Sequence, residues 1–347
     1  MKPSYIFLPL FVASFVGCGD SEPELAKETQ EQTDAEAVEA SLAHTKKPES
    51  KAKFRSFLFN YDFRLHGLKP GAKLNVWLPK PPSSEWQEAK ELLQTADVAP
   101  SESVEGKYGN KIRHFAFVVP ESGETYFQLP YEIKRKEVRL EQLSSDEELG
   151  DDAFLTANKK VPVDGKAVSL LDGVVLPRDP LAKARAIYDL VDSHVKYSKD
   201  GEGWGQGDSE WVCDSQFGNC TDFHSLFISL ARSKGIRARF EIGFPISADV
   251  ESGDVGGYHC WGWFFVAGKG WVPVDISEAD KHPEMKEYYF GNLTADRVAF
   301  SVGRDLLLEP PQNGPPLNFF VYPYAEVDGE VVERANIELQ FSFESQP

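Results

Sequence analysis

From Phe54 onward, apolar and polar positions alternate. Phe57, Phe59, Tyr61, Phe63 and Leu65 share one parity, and LKPGAK (68–73) supplies a turn before LNVWLPKPP. That period of two is the signature of strands with one face in a core. Ile112–Val119 and Thr125–Ile133 read as further strands, and Ser84–Thr95 as one short helix. Short strands punctuated by proline and glycine predict a small β-sandwich-like domain over residues 54–136. Residues 137–178 have no clear period and read as an irregular, Asp-rich connection. The period then changes. Asp179-Pro180 gives an N-cap followed by proline at the first helical position. Leu181, Ala184, Tyr188, Val191 and Val195 recur at helical spacing, predicting a helix that ends near His194 or Tyr197.

The stretch SKDGEGWGQGDSEW follows and reads as a flexible glycine-rich rim. A second helix begins at Cys220 or Thr221, with Phe223, Leu226, Phe227, Leu230 and Ala231 forming one apolar stripe and Gly235 terminating it. Ile236 to Ile246 alternate strictly, as a half-buried strand does. His259–Val266 and Trp271–Asp275 form two more strands joined at Gly268-Lys269-Gly270. A last pair, Leu317–Val327 and Val331–Phe343, turns at Asp328-Gly329 and is expected to close the same sheet. The fold class is therefore α+β: helices packed on an antiparallel sheet over residues 179–347, preceded by the smaller β-rich domain.

Composition narrows the partners. With 55 acidic against 37 basic residues, the formal charge is −18, which argues against nucleic acid and anionic lipid surfaces. The N-terminus carries Lys2 and an apolar stretch from Tyr5 to Val16, a secretory signal too short to span as a mature helix. The residues before Cys18 resemble the lipobox of bacterial lipoproteins. That resemblance implies lipidation of Cys18, export to the cell envelope and a membrane anchor; Gly19, where inner-membrane retention places Asp, favours the outer membrane facing the periplasm. An ordinary signal peptide cut near Gly17 is the alternative. Residues 19–53 have almost no large apolar side chains and read as a disordered acidic tether.

Three cysteines remain beyond Cys18: Cys213, Cys220 and Cys260. Cys220 opens a helix, where the positive end of the dipole favours a thiolate. The tight connection at Gly268 brings His259 and Asp275 to one end of a hairpin, and a carboxylate beside an imidazole fixes its tautomer. Thiol, base and orienter together make an activated nucleophile.

GNCTDFHSLFISLARSKGIRARFEIGF, GYHCWGWFF and GWVPVD, in that order, resemble the core of the transglutaminase-like superfamily, with the similarity running over roughly residues 180–305. The resemblance implies a papain-like fold and a Cys220–His259–Asp275 triad that attacks an amide or peptide carbonyl through a thioester. It implies no cofactor. The Cys220 backbone N–H is the expected oxyanion donor; Gln216, Trp204 and Trp211 are candidates for the second.

The expected activity is hydrolysis of a peptide, isopeptide or amide bond in a peptide or protein substrate, because an open, wet site favours water over an amine. Cross-linking of glutamine to amines is the alternative, although no DxDxDG calcium loop is present. A non-catalytic peptide-binding lipoprotein or a zinc-binding structural protein are the others. In the zinc reading Cys220 and His224, at i and i+4, would join His259, Cys260 and Cys213, but no CxxC or HExxH spacing supports it and no metal is expected. Cys213 and Cys260 are candidates for a disulfide, with all three cysteines reduced as the alternative.

Overall fold

The structure is a computed structural model that describes residues 53–92, 98–147 and 152–347. The expected signal segment, the lipidation site Cys18 and the tether up to residue 52 lie outside the described residues. In chain order the strands of the first part are β1 (Phe54–Leu65), β2 (Lys73–Pro79), β3 (Gln87–Glu91), β4 (Ser101–Val104), β5 (Lys111–Val118) and β6 (Thr125–Lys136). Next come α1 (Pro180–His194), β7 (Lys196–Tyr197), α2 (Ser209–Ser215), β8 (Phe217–Gly218) and α3 (Cys220–Ser233). The remainder comprises β9 (Ala238–Pro245), β10 (Ser252–Asp254), β11 (His259–Val266), β12 (Gly270–Val274), α4 (Ile276–Lys281), β13 (Arg297–Val302), β14 (Tyr324–Val327), β15 (Glu330–Val331) and β16 (Ile337–Gln346).

Two five-stranded sheets, ordered β10-β16-β1-β6-β3 and β15-β14-β2-β5-β4, face each other, and a four-stranded sheet, β12-β11-β9-β13, carries the helices. The alternation read in β1 is real: Phe57, Phe59, Tyr61, Phe63 and Leu65 are all buried. One face of β1 serves two partners. Phe63 stacks on Phe127 at 4.4 Å, which in turn meets Phe115 of the second sheet at 5.1 Å. Farther along, Phe59 packs 5.2 Å from Phe244 and Tyr61 5.5 Å from Phe300, both in the helix-bearing sheet.

Two local expectations are corrected. The segment read as a helix at Ser84–Thr95 contains β3, paired antiparallel with β6 from Gln87↔Arg135 to Glu91↔Tyr131. An edge strand supplies the hydrogen bonds that the free side of β6 needs, and Gln87 binds both the N–H and C=O of Ala299. The final hairpin does turn at Asp328-Gly329, but it does not close the helix-bearing sheet. β14 pairs with β2 and β16 pairs with β1 over ten residues, so the hairpin's two ends complete both sandwich sheets.

α1 starts as expected: the Asp179 carboxylate accepts from Ala182 N–H at 2.7 Å, proline occupies the first turn and the helix ends at His194. α3 differs from the simple stripe, because Cys220 through Arg232 are all buried. The irregular 152–175 segment covers its outer face, as where the Ser229 hydroxyl donates to the Pro162 carbonyl at 2.5 Å.

Candidate active site

The first turn of α3 is fixed before any chemistry is considered. Asn219 caps it, with Oδ1 accepting from Thr221 N–H at 2.9 Å, and the Asp222 carboxylate reaches back to Asn219 N–H at 2.9 Å. This reciprocal cap satisfies donors that a helix start otherwise leaves open. Among the described residues the Cys220 N–H keeps no partner. Asp222 also accepts from Gly205 N–H at 2.6 Å and Gly207 N–H at 2.8 Å. The glycine-rich stretch expected to be a flexible rim is thus latched to the helix start, and its end forms α2 with Asp208 as N-cap. Glycine is required at 207, where φ is +59° and a Cβ would meet Arg304 Nη1 and Ser225 Oγ at 2.5 Å.

Across from Cys220, β11 presents alternating faces. Cys260 points to α3, its Sγ 3.8 Å from Thr221 Oγ1 and from His224 Nδ1. His259 lies at the strand's start, and its Nε2 sits 2.8 Å from Asp275 Oδ2. Asp275 follows β12 and caps α4, accepting from Glu278 N–H at 3.3 Å and the Ser277 hydroxyl at 3.2 Å through Oδ1. With Nε2 taken by Asp275, Nδ1 is the ring nitrogen left for the thiol, and Cys220 lies near enough to His259 for each to shift the other's pKa. Cys220 is 4% exposed, His259 7% and Asp275 0%. The open, wet site expected from the sequence is therefore a narrow one.

Electrostatics follow the contacts. Burial opposes the Cys220 thiolate, but hydrogen bonds from Cys260 and His259 and the His259 charge hold its pKa well below the ordinary thiol value. Burial alone would lower His259; Asp275 and then Cys220 outweigh it and hold the imidazole up at about 10. Burial would raise Asp275, yet His259 and Arg297 keep it well below the carboxylate range. The resting state that these shifts favour is a thiolate–imidazolium pair.

His224 belongs to the scaffold. Its Nδ1 bonds the Cys220 carbonyl at 2.7 Å and its Nε2 accepts from Ile276 N–H at 3.0 Å. Those partners fix the neutral Nδ1–H tautomer, tie α3 to α4 and leave neither nitrogen for a metal. Among the described residues, His259, Asp275 and Glu278 bring one ligand atom each within 4.8 Å of one another, but Nε2 and Oδ2 already engage each other. The candidate disulfide is not formed: Cys213, Cys220 and Cys260 are free thiols. Cys213 Sγ faces the Lys166 carbonyl at 4.0 Å while Cys260 faces α3, so the two belong to different surroundings.

Gln216 ends α2 in the left-handed region at φ 58°, exposed, with its carbonyl accepting from Lys196 N–H. Trp211 packs against Phe217, and Lys199 lies over Trp204. Two residues that sequence reasoning left aside enter the site. Arg297 Nη1 donates to Asp275 Oδ2 at 2.9 Å, and Glu241 Oε2 accepts from the indoles of both Trp261 and Trp263. Their only sequence signal is a charged residue beside apolar ones, at the start of one strand and within another.

Comparison with known proteins agrees with the fold. A family model described as the Transglutaminase-like superfamily core matches residues 169–276. An uncharacterised protein of Haemophilus influenzae is 28% identical over 300 residues, covering 74% of this chain and 81% of its own length. The structure of a candidate cysteine protease from Cytophaga hutchinsonii superimposes with a TM-score of 0.53 at 14% identity, covering 86% of this chain and 99% of its own, which is a likeness of fold. The periplasmic domain of TgpA from Pseudomonas aeruginosa is also 14% identical and covers 67% of this chain and 90% of its own, at a TM-score of 0.33, too low to carry weight. No helix among the described residues is long and apolar enough to cross a membrane.

Proposed function

We propose that the protein, whose residues 169–276 match a transglutaminase-like family model, is a thiol-dependent hydrolase of amide or peptide bonds. The observation that carries this is the 2.8 Å bond from His259 Nε2 to the fully buried Asp275, with Cys220 at the start of α3 close enough for the imidazole to depress its pKa. The Cys220 thiolate attacks a carbonyl carbon, and the Cys220 N–H, pointing out of the helix start, donates to the oxyanion. His259 gives its proton to the departing amine, leaving a thioester and a neutral imidazole. It then takes a proton from the incoming water, and the acid product leaves with the thiolate restored. Asp275 keeps the imidazole oriented throughout.

Water is favoured over an amine because it needs no binding site of its own: once the acyl group covers a thiol 4% exposed beside a histidine 7% exposed, the smallest nucleophile reaches the thioester most readily.

The test uses iodoacetamide at neutral pH with peptide mapping. Cys220 should react faster than an ordinary exposed thiol, and His259→Ala should slow it about tenfold or more. Turnover in a screen of peptides and cell-wall fragments should disappear in Cys220→Ala. Ordinary reactivity, unchanged in the histidine variant, would rule the reading out.

A further inference from the structure

Two cations converge on one oxygen of Asp275. His259 Nε2 lies 2.8 Å and Arg297 Nη1 2.9 Å from the same Oδ2, while Oδ1 serves the start of α4. Arg297 opens β13 and is 3% exposed. Its guanidinium carbon sits 4.8 Å from the centre of the Trp261 ring, and Nη2 reaches Thr294 Oγ1 at 3.5 Å. The Trp261 indole is itself anchored on Glu241. The guanidinium is therefore held in place, and among the described residues Asp275 is its only ion-pair partner.

A carboxylate whose whole charge faced one imidazolium would hold the proton on His259 very tightly, too tightly for release to a leaving amine. A fixed guanidinium on the same oxygen weakens that grip without titrating itself, since arginine stays charged throughout the working range.

We propose that Arg297 is a positioning residue that divides the charge of Asp275 with His259 and so sets the pH window in which the Cys220 thiolate and the His259 imidazolium coexist. This rests on the proposed function. The other titratable or charged groups facing the pair are accounted for. His224 of α3 is held neutral by its two hydrogen bonds. Glu278 of α4 is ion-paired to Lys281 and stands 3.9 Å from His259 Nε2, a second carboxylate beside the imidazole that Arg297 variants leave in place. Cys260 of β11 is kept a neutral thiol by burial and by the neighbouring Cys220. Tyr289, which precedes β13, and Tyr197 are raised by burial and stay neutral. Asp296, next to Arg297, is engaged by Arg55 at 2.7 Å. Arg135 lies near enough to Arg297 to feel its charge, but it is a second permanent cation.

The experiment is the pH dependence of Cys220 alkylation by iodoacetamide in the full chain, which needs no known substrate. The wild type should give a plateau whose lower limb reports thiolate formation and whose upper limb reports loss of the imidazolium proton. Arg297→Met and Arg297→Gln should move both limbs upward, the upper one by about one pH unit, and Arg297→Lys should restore them. Gln keeps a donor for Oδ2 without the charge, so it gives the answer if the Met variant does not fold. Limbs that stay in place in Arg297→Gln while the plateau drops, or a Lys variant that shifts as far as Gln, would overturn the proposal. A wild type that follows a single ordinary thiol titration would instead overturn the proposed function, and it would do so before any Arg297 variant is compared.

Discussion

Two protons decide how the site responds to pH. The ordinary values are 6.5 for His259 and 9.0 for Cys220, and folding moves the first up to about 10 and the second well below its start. A raised histidine contributes stability that is full below 6.5 and is lost as pH climbs towards 10. A depressed thiol contributes stability that is full above 9.0 and is lost as pH falls. Between 6.5 and 9.0 the two slopes oppose and cancel. The difference in unfolding free energy between the wild type and a Cys220→Ala, His259→Ala double variant should therefore be flat across that window. It should fall on both sides by about 1.4 kcal/mol per pH unit; urea unfolding at stepped pH reads it, and a difference flat from pH 4 to 10 would contradict the ion pair. Cys220, His259 and Asp275 are legible in the sequence because each stands at the end of an element whose apolar period is plain. Arg297 and Glu241 are not, since a charged side chain in a strand ordinarily points to solvent. What keeps these two inside are partners elsewhere in the chain, Asp275 for Arg297 and the Trp261 and Trp263 indoles for Glu241.

At the level of elements, the start of α3 is where local rules and distant structure meet. Asp222 is at once the third residue of a helix cap and the acceptor for two glycine amides of the preceding loop. Asp222→Ala strands those donors, and the expected loss of stability is about 2–4 kcal/mol. Trypsin should then cut at Lys199, in the released loop, much sooner than in the wild type. An unchanged digestion pattern would mean the loop is held by Arg304 and Asn318 at Gln206 alone. Helices with a clear apolar period, α1 and α3, are readable from sequence with their caps. β3 and α2 are not: each is short and largely polar, and each exists because a neighbouring backbone or cap offers it hydrogen bonds.

At the scale of the molecule, β16 links the sandwich to the sheet that carries His259. Phe341 lies 4.8 Å from Tyr61 of β1 and 4.5 Å from Phe244 of β9, ring to ring. Phe341→Ala should cost about 3–5 kcal/mol. If the two parts unfold as one, thermal melting followed by near-ultraviolet dichroism and by Cys220 alkylation should shift by the same amount; separate shifts would show that they are only loosely coupled. The sequence shows a hairpin here but not its partners, because strand pairing depends on which edges are free and periodicity does not encode that.

The pairing of Ser56 with Gln346 sets the two ends of the described fold side by side on neighbouring strands. Chain order is then separable from architecture: a short linker from residue 347 to residue 53 would join the ends without stretching either strand. New ends could be opened in the exposed turn at Gly173–Val175, far along the chain from Cys220, His259 and Asp275. In such a circular permutant β1 and β16 would become the two arms of one hairpin, so a contact that now spans almost the whole fold would become a local one.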